Sequence, residues 1–337
     1  MNKNSYFTLT KEQQLMMLNQ ASPKVGLPPQ AIEKDIWVTT ILQLVFTLPF
    51  ADKLIFKGGT SLSKVWGVIN RFSEDIDLAV DRSLFDLEGD LTKKKIKVLR
   101  KKSSVFVRNE FAPAMQAKLE EYGLDKFCTL EAEPDGKGDD TYPEPRKIFI
   151  HYESALGNQV GYLKPVVMLE IGSRSLFEPN EKCHIHSMME QQFPSIQTSL
   201  VDNEVATAVP GKTFLEKVFL IHELFSVEGH GMRAERKSRH LYDLYRMMNM
   251  DFALATVTDD KLWESIRHHR EIFTSISGMD YTPDVRKRMQ LVPREDIIDV
   301  WRTDYETMME SMIYGDKPTF EELIAAISEL QKQFRNM

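Results

Sequence analysis

The sequence predicts an α+β domain followed by a helical domain, and two observations support this fold class. Most strand-like segments fall in the first half of the 337-residue chain, whereas the pattern after Thr213 is almost wholly helical. The change falls near residues 202–210, which predicts one domain over residues 1–205 and a helical domain over residues 206–337. A chain of this length can bury two hydrophobic cores.

Two helices are predicted before the first strand. Residues 9–46 have a helical pattern, in which Thr10 can cap a first helix and a second one starts near Gln30. Strand-like segments then follow at residues 53–56, 74–80, 127–133, 147–152 and 166–171, with a weaker one at 182–186. A lysine-rich helix is predicted over residues 91–122, and further helices at residues 213–225, 237–248, 259–273, 293–311 and 320–334.

The bulk composition predicts a soluble cytoplasmic protein. Hydrophobic residues at 42% and charged residues at 28% are ordinary values for a globular chain. No apolar run reaches the ~18 residues of a transmembrane helix, so no membrane partner is expected. The two cysteines, Cys128 and Cys183, suit a reducing compartment. The net charge of −7 argues against broad nonspecific binding of nucleic acid, although a local basic surface can still bind RNA.

Residues 56–78 contain the motif that is most informative about function. A strand-like stretch runs into Gly58 and Gly59, which are followed by the hydroxyl side chains of Thr60 and Ser61. Glycines allow backbone N–H groups to approach phosphate oxygens closely, and the hydroxyls can add donors. This half of the motif therefore predicts a cradle for phosphate groups.

The second half of the motif contains two aspartates, Asp75 and Asp77, which flank the apolar residue Ile76. Alternate side chains of a strand point to the same face, so the two carboxylates are expected side by side. They repel each other unless a cation lies between them, and hard oxygen ligands suit Mg²⁺ or Mn²⁺. Alone, a glycine pair after a strand is more often a simple turn, and an Asp-x-Asp segment is more often a solvated pair of side chains. Together they predict phosphoryl or nucleotidyl transfer.

The motif resembles two known groupings. The glycine pair followed by Asp-hydrophobic-Asp-hydrophobic resembles the signature of the DNA polymerase β-type nucleotidyltransferase superfamily. The longer motif, which consists of FKGGTSLSK followed by RFSEDIDL, resembles the AbiEii/AbiGii toxin family of bacterial type IV toxin–antitoxin systems. The resemblance also covers residues 33–37 and extends over roughly residues 30–250.

The resemblance implies a nucleotidyltransferase-type mixed β-sheet flanked by helices. It implies an enzyme that transfers a nucleoside monophosphate from an NTP to an acceptor, with RNA, such as a tRNA end, as the acceptor. It also implies a growth-arresting role that a cognate antitoxin neutralises. The residues that it assigns to nucleotide binding are Gly58, Gly59, Thr60, Ser61 and Lys64.

Glu170 is the third predicted metal ligand and catalytic carboxylate, because nucleotidyltransferases of this type need one on a strand next to the aspartates. It is the one acidic residue in the apolar run of residues 166–172. Burying a carboxylate is costly unless a metal or a charged partner compensates it. The alternative is a structural ion pair of Glu170 with Lys164 or Arg174. Two fallback ligands lie on the preceding strand, Glu131 and Glu133.

The helical half contains two further candidates, Lys217 and Asp243. From the residues alone, Lys217 either extends along an apolar surface or points into a cleft, and Asp243 can simply pair with Arg239 or Arg246. The toxin family carries an essential lysine on one helix and an R-x-x-x-D-L element on a following one. The resemblance therefore implies a phosphate contact for Lys217, and for Asp243 a role as the partner of that lysine or as a catalytic helper.

The sequence leaves the acceptor and one surface open. One alternative is the same transfer to a protein or to a small molecule, and the other is a catalytically idle nucleotide-binding regulatory module.

The densest basic run of the chain is either a solvated helix surface or a binding surface for the phosphate backbone of RNA. That run comprises Lys93, Lys94, Lys95, Lys97, Arg100, Lys101 and Lys102.

Overall fold

The computed structural model describes residues 5–138, 141–157 and 163–337, which form two compact units. The first unit comprises Met1–Val65 and Ser73–Thr207, and the second comprises Trp66–Phe72 and Ala208–Met337. The main division therefore lies between Thr207 and Ala208. The second unit also includes the short segment Trp66–Phe72 from the first half of the chain. A single boundary in the sequence therefore cannot separate the two units.

A seven-stranded mixed sheet forms the centre of the first unit. Its strands are β1 (Leu54–Lys57), β2 (Ile76–Val80), β3 (Cys128–Ala132), β4 (Arg146–Tyr152), β5 (Val166–Gly172), β6 (Asn180–His184) and β7 (Glu204–Ala208). Their order across the sheet is β3-β4-β5-β2-β1-β7-β6. Strand β2 pairs parallel with β5 and antiparallel with β1. This architecture confirms the predicted α+β class.

One face of the sheet is covered by helices along β3, β4 and β5. On β4, Ile148 and Ile150 are fully buried, whereas Lys147 is half-buried and His151 is exposed. The buried face ends at Tyr152, whose ring stacks on that of Trp37 at 4.9 Å. The opposite face of β4 carries Lys147 and His151 together with the half-buried Phe149, so it is more polar and more accessible than the packed face.

Among the described residues of the first unit there are six α-helices: α1 (Lys11–Val25), α2 (Pro29–Val45), α3 (Gly58–Lys64), α4 (Lys93–Phe106), α5 (Ala112–Glu121) and α6 (Met188–Gln192). Thr10 caps α1 as predicted, with a reciprocal capping box. Helix α2 is enclosed, because every residue from 31 to 45 is buried. Helices with no exposed face are usually apolar all round. Because α2 contains charged residues, those residues must find partners inside the protein.

The second unit is helical, as predicted. Its helices are α7 (Pro210–Ser226), α8 (Arg239–Met247), α9 (Asp251–Val257), α10 (Asp260–Phe273), α11 (Ile298–Ser311) and α12 (Phe320–Arg335). Its core includes Phe225 and Trp301, whose rings meet edge to face at 4.7 Å. Within the described ranges, no helix combines the length and the apolar character that a membrane crossing requires.

Several local predictions differ from the structure. The glycine-rich segment, for which no helix is predicted, forms helix α3, and strand β7 and helix α9 are likewise absent from the predicted elements. The predicted helix of residues 91–122 is interrupted by a π-helical turn at Val107–Phe111. Short elements of five to seven residues are decided by tertiary packing, because their own periodicity is too brief to read.

Candidate active site

Asp75 and Asp77 lie at the start of β2. Asp75 immediately precedes the strand and Asp77 is its second residue. Ile76, between them, is fully buried, whereas both aspartates are half-buried. Because successive residues of a strand point to opposite faces, this burial pattern agrees with the predicted alternation.

A row of three charged side chains crosses β2, β5 and β4. Asp77 is the register partner of Glu170 on β5, and Glu170 is the register partner of Lys147 on β4. Residues opposite each other on neighbouring strands share a face, so the carboxylates of Asp77 and Glu170 lie on the same side of the sheet. Lys147 Nζ lies 3.1 Å from Glu170 Oε1. The Glu170 side chain is 28% exposed, so solvent reaches this row.

Glu170 forms its ion pair with Lys147, which is neither of the two partners suggested by the sequence. Lys164 accepts a hydrogen bond from Lys34 through its backbone carbonyl, at 3.1 Å. Arg174 Nε instead donates to Glu144 Oε2 at 2.5 Å. The predicted alternative, a Glu170 pair with Lys164 or Arg174, is therefore wrong, because cross-strand register brings Lys147 closest.

The glycine segment contacts the aspartates directly. Gly58 has a φ of +82°, and a Cβ at this position would overlap Asp77 Oδ2 and lie 2.9 Å from Asp77 Cγ. Gly58 and Gly59 are the first two residues of α3. Only glycine satisfies both the left-handed backbone and this close approach.

The two predicted hydroxyls make hydrogen bonds within the chain. Thr60 Oγ1 donates to the backbone carbonyl of Asp75 at 2.6 Å, and Ser61 Oγ donates to the carbonyl of Gly58 at 2.9 Å. Thr60 Oγ1 also lies 2.9 Å from Ser73 Oγ. The two Thr60 contacts fasten α3 to the chain just before β2, whereas the Ser61 bond lies within α3. They therefore fix the glycines against the aspartates.

Helix α2 holds both ends of the motif through buried ion pairs. Lys34 Nζ lies 2.5 Å from Glu74 Oε2, one residue before Asp75. Asp35 Oδ1 lies 2.5 Å from the ammonium of Lys64, at the end of α3. The charged residues of the enclosed helix thus face the segment that carries the glycines and the aspartates.

Neighbouring Glu33 on α2 accepts hydrogen bonds from Ser154 Oγ at 2.6 Å and from the Ala155 backbone N–H at 2.7 Å. Burial raises the pKa of Glu33, and these hydrogen bonds only partly oppose the shift. Three consecutive residues of α2 therefore anchor three different parts of the first unit.

Lys64 was assigned to nucleotide binding, but its ammonium is surrounded by acceptors of this chain. Besides Asp35, it donates to Thr39 Oγ1 at 2.8 Å and to the His186 carbonyl at 3.4 Å. A lysine has three N–H donors, so these contacts use all of them. Direct contact with a phosphate would require one of them to open.

In the second unit, Asp243 is the centre of a buried cluster. Its carboxylate accepts two hydrogen bonds from Arg71, from Nε at 2.6 Å and from Nη2 at 2.7 Å. Lys217 Nζ lies 3.0 Å from Asp243 Oδ2. Lys217 is thus the partner that the family resemblance implies, and Arg71 is a further one. Arg71, which precedes Asp75 by four residues in the chain, was not predicted.

The protonation of this cluster follows from its burial and its charges. Burial alone would raise the pKa of Asp243, but the charges of Arg71 and Lys217 outweigh it and hold the pKa well below its ordinary value. Burial lowers the pKa of Lys217, although Asp243 opposes the shift. Lys217 Nζ also lies 3.2 Å from His240 Nδ1. Burial and the nearby cations lower the pKa of His240, so its neutral ring accepts this hydrogen bond.

The carboxylates on β2 and β5 fit a hard divalent cation by their chemistry. Asp77 and Glu170 present oxygen ligands on one half-exposed face, and Asp75 lies two residues before Asp77. Across residues 5–138, 141–157 and 163–337, no three His, Cys, Asp or Glu side chains are already grouped as metal ligands. The fallback residues Glu131 and Glu133 lie in or next to β3, which β4 and β5 separate from β2.

Sequence reasoning missed four residues that organise these sites, namely Lys34, Asp35, Arg71 and Lys147. The charged triplet at residues 33–35 inside an apolar helix was the available indication, since buried charges need partners. Lys147 and Arg71 gave no such indication, because cross-strand register and tertiary packing determine their contacts.

A family profile described as nucleotidyl transferase AbiEii toxin, type IV TA system, matches residues 41–326. Among solved structures, MenT4, a nucleotidyltransferase toxin from Mycobacterium tuberculosis, is similar with a TM-score of 0.52 at 14% identity, covering 98% of this chain and 90% of that one. JHP933 from Helicobacter pylori gives a TM-score of 0.43 at 12% identity, covering 90% and 93%. No curated protein sequence matches the chain. The likeness to MenT4 supports the fold alone.

Proposed function

Because the chain belongs to the AbiEii nucleotidyl transferase toxin family of type IV toxin–antitoxin systems, and is therefore a nucleotidyltransferase, we propose that it modifies RNA. The proposed reaction transfers a nucleoside monophosphate from an NTP to a hydroxyl of the acceptor, such as a tRNA end. The acceptor oxygen forms a bond to the α-phosphorus, and the bond to pyrophosphate breaks. We propose that this occurs in the cytoplasm and that a cognate antitoxin protein neutralises it.

The observation that carries the proposal is the placement of Asp77. Its carboxylate lies in register with Glu170 on one side and packs against Gly58 on the other. The glycine segment proposed for the triphosphate and the carboxylates proposed for the metal therefore meet at one residue. A solvated surface pair of aspartates would not require such a close approach.

We assign metal binding to Asp75, Asp77 and Glu170. A Mg²⁺ or Mn²⁺ ion held there would neutralise phosphate charge during transfer. Glu170 is also assigned to accept the proton of the attacking hydroxyl. Its pairing with Lys147 at 3.1 Å keeps it oriented on the open face, and nucleotide binding would compete with that pair.

The nucleotide is assigned to the segment of Gly58, Gly59, Thr60 and Ser61. Backbone N–H groups of the glycines are proposed to contact the triphosphate, because no side chain blocks approach there. The hydroxyls of Thr60 and Ser61 already bond to the backbone, so they support the segment's shape. Lys64 is proposed to contribute by holding the end of α3 through Asp35.

Lys217 is proposed as a phosphate contact, and Asp243 as its partner. Lys217 Nζ contacts Asp243 and His240, and the remaining N–H donor of the ammonium is the one proposed for a phosphate oxygen. Asp243 would orient the lysine and keep its charge paired between reactions. A desolvated phosphate contact is worth more than an exposed ion pair.

The test is a transfer assay with α-labelled NTPs. The protein is incubated with each NTP in turn, Mg²⁺ and total cellular RNA, and the label is followed into RNA, protein and small-molecule fractions. The matched variants are Asp77→Asn, Glu170→Gln and, as the control, Glu131→Gln on the same face of the outer strand β3. We expect the first two to lower transfer by on the order of 100-fold or more, and the control to leave it unchanged.

Label in the protein or small-molecule fraction, with none in RNA, would replace the acceptor and keep the chemistry. NTP binding without transfer in any fraction would reject catalysis and favour a regulatory module. Full activity of Asp77→Asn would reject the metal assignment.

A further inference from the structure

Helix α4 exposes a surface made almost entirely of lysine. Seven of its residues are exposed, and six of these are lysines, Val98 being the exception. This lysine face comprises Lys93, Lys94, Lys95, Lys97, Lys101 and Lys102. The opposite side of the helix is apolar and includes Leu99 and Phe106, which are buried. The helix is therefore anchored by one side and presents a single sign of charge on the other.

This arrangement works against the stability of the helix itself. Lys93, Lys94 and Lys95 occupy the first turn, where the helix dipole favours acidic residues, and that turn contains none. Lys97 stands four residues from both Lys93 and Lys101, and like charges at this spacing repel. A surface selected only for solubility would gain from glutamates at these positions.

Helix α12 shows the arrangement that a merely solvated helix adopts in this protein. Its first turn contains Glu321 and Glu322, and its last turn contains Lys332 and Arg335. Lys332 also pairs with Glu329 one turn away. Charges of both signs therefore stabilise α12, whereas α4 accumulates one sign on a chain of net charge −7.

Contacts of the lysine face with the rest of the protein are few. Lys102 donates to the backbone carbonyl of Phe85 at 2.8 Å, and Lys101 lies over the ring of Tyr142 at 5.3 Å from its centre. Within the described parts of the chain, no ion pair joins Lys93, Lys94 or Lys97 to a carboxylate. Their charges are therefore available to a partner.

The face lies on the side of β4 away from the carboxylate row. Arg146 Nε donates to Ser104 Oγ of α4 at 2.9 Å, whereas the next residue, Lys147, contacts Glu170. Successive side chains of a strand point to opposite faces. A phosphate group that contacts the lysine face is therefore on the opposite side of β4 from Glu170 and does not contact that carboxylate.

We propose that the lysine face of α4 binds the phosphate backbone of the RNA acceptor, away from the nucleotide that reacts. This inference rests on the proposed transfer to RNA and adds the surface that holds it. Binding by phosphate contacts is independent of sequence and steeply dependent on salt. The face therefore supplies affinity for a long acceptor, and the chemistry is left to residues on β2 and β5.

The test compares two variants with the same change of charge. The first carries Lys93→Gln, Lys94→Gln, Lys97→Gln and Lys101→Gln, and the control carries Lys126→Gln, Lys182→Gln, Lys261→Gln and Lys287→Gln, all exposed lysines elsewhere. Binding of labelled, unfractionated tRNA is measured without NTP between about 50 and 200 mM salt. Thermal unfolding of each variant is recorded alongside.

We expect the α4 variant to bind tRNA about tenfold or more weakly at ~100 mM salt, and its log–log salt slope to flatten by about 3. Its KM for RNA should rise, while its KM for NTP and its kcat stay near those of the unmodified protein. Its unfolding temperature should stay the same or increase, because repulsion within α4 is removed. The control variant should match the unmodified protein.

Equal salt slopes for both variants would overturn the inference, even if transfer to RNA is confirmed. If no transfer to RNA occurs but the salt dependence of tRNA binding still differs between the α4 variant and the unmodified protein, the proposed acceptor is rejected. The assignment of the lysine face as an RNA-binding surface then remains. A loss of kcat in the α4 variant would contradict its separation from the chemistry.

Discussion

The carboxylate of Asp77 lies against the Cα of Gly58, in the space that any side chain at position 58 would need. A Cβ there would overlap Asp77 Oδ2, and the φ of +82° would strain any other residue. Two independent constraints therefore select glycine at this position. The glycine is required by the geometry of the aspartate, apart from any contact with phosphate.

Replacement of Gly58 by alanine should disable transfer and destabilise the first unit. Gly89→Ala is the matched control, because Gly89 has a φ of +67° and a Cβ added there would meet no atom within 4 Å. The control should cost about 1–2 kcal/mol for backbone strain alone, while Gly58→Ala adds the cost of displacing Asp77. Urea unfolding and the transfer assay check both variants. Similar transfer by the two would show that Asp77 tolerates the displacement.

The pair of Lys64 and Asp35 allows structure and nucleotide binding to be separated. Lys64→Met should lower the free energy of unfolding by about 3–5 kcal/mol, because it leaves the buried Asp35 carboxylate without its cation. The double variant Asp35→Asn, Lys64→Met should recover much of this loss. We expect its KM for NTP to be near that of the unmodified protein, since the lysine donors are used internally. A large rise in that KM would restore Lys64 as a direct nucleotide contact.

Asp243 and Lys217 should differ in their effect on stability. Asp243→Asn leaves Arg71 and Lys217 without their shared carboxylate, which should cost about 3–5 kcal/mol. Lys217→Met should cost less, because Asp243 keeps its two hydrogen bonds from Arg71. Lys217→Met should nevertheless reduce transfer far more than Lys126→Met, a surface control. Equal transfer by these two lysine variants would restrict Lys217 to a structural role.

His222 should make the second unit sensitive to mild acid. Burial lowers the pKa of His222 to about 4, and its Nδ1 accepts a hydrogen bond from the Gln290 backbone N–H at 2.9 Å. The folded pKa lies below the unfolded one, so the stability is fully present above pH ~6.5 and is lost as the pH falls toward 4. Between pH 7.5 and 5 the loss should be about 2 kcal/mol.

Denaturant unfolding at several pH values checks this. His222→Asn keeps an acceptor near the Gln290 N–H and removes the titration, so its stability should change less over the same interval. The exposed His151→Asn is the control and should keep the full dependence. The same pH dependence in all three proteins would assign the effect to another group.

Sequence reasoning succeeded where a pattern was long or chemically unusual. The alternation around Ile76 and the apolar run that contains Glu170 both predicted strands near their observed bounds. It did not find β7, whose five residues pair with β1 through a single register contact at Phe56 and Thr207. Such a short strand exists because its neighbours β1 and β6 offer hydrogen bonds on both sides, a property that its own residues do not encode.

The candidate sites show the same limit. Asp75, Asp77 and the glycines are close in sequence, so their chemistry could be read together. The ion pair of Asp243 joins residues 172 positions apart, and that of Glu170 depends on strand register. Neither follows from local periodicity, and for Glu170 the nearest charged residues in the sequence, Lys164 and Arg174, are not the partner that strand register supplies.

The inclusion of Trp66–Phe72 in the second unit limits how the protein can be dissected. A fragment that starts at Ala208 would lack Arg71, which is 1% exposed and binds Asp243. It would also lose the backbone hydrogen bond from Phe72 to Met312. Truncation at the apparent boundary should therefore give an unstable product. Adding residues 66–72, either as a separate synthetic peptide or fused to the fragment, should restore the stability of the fragment.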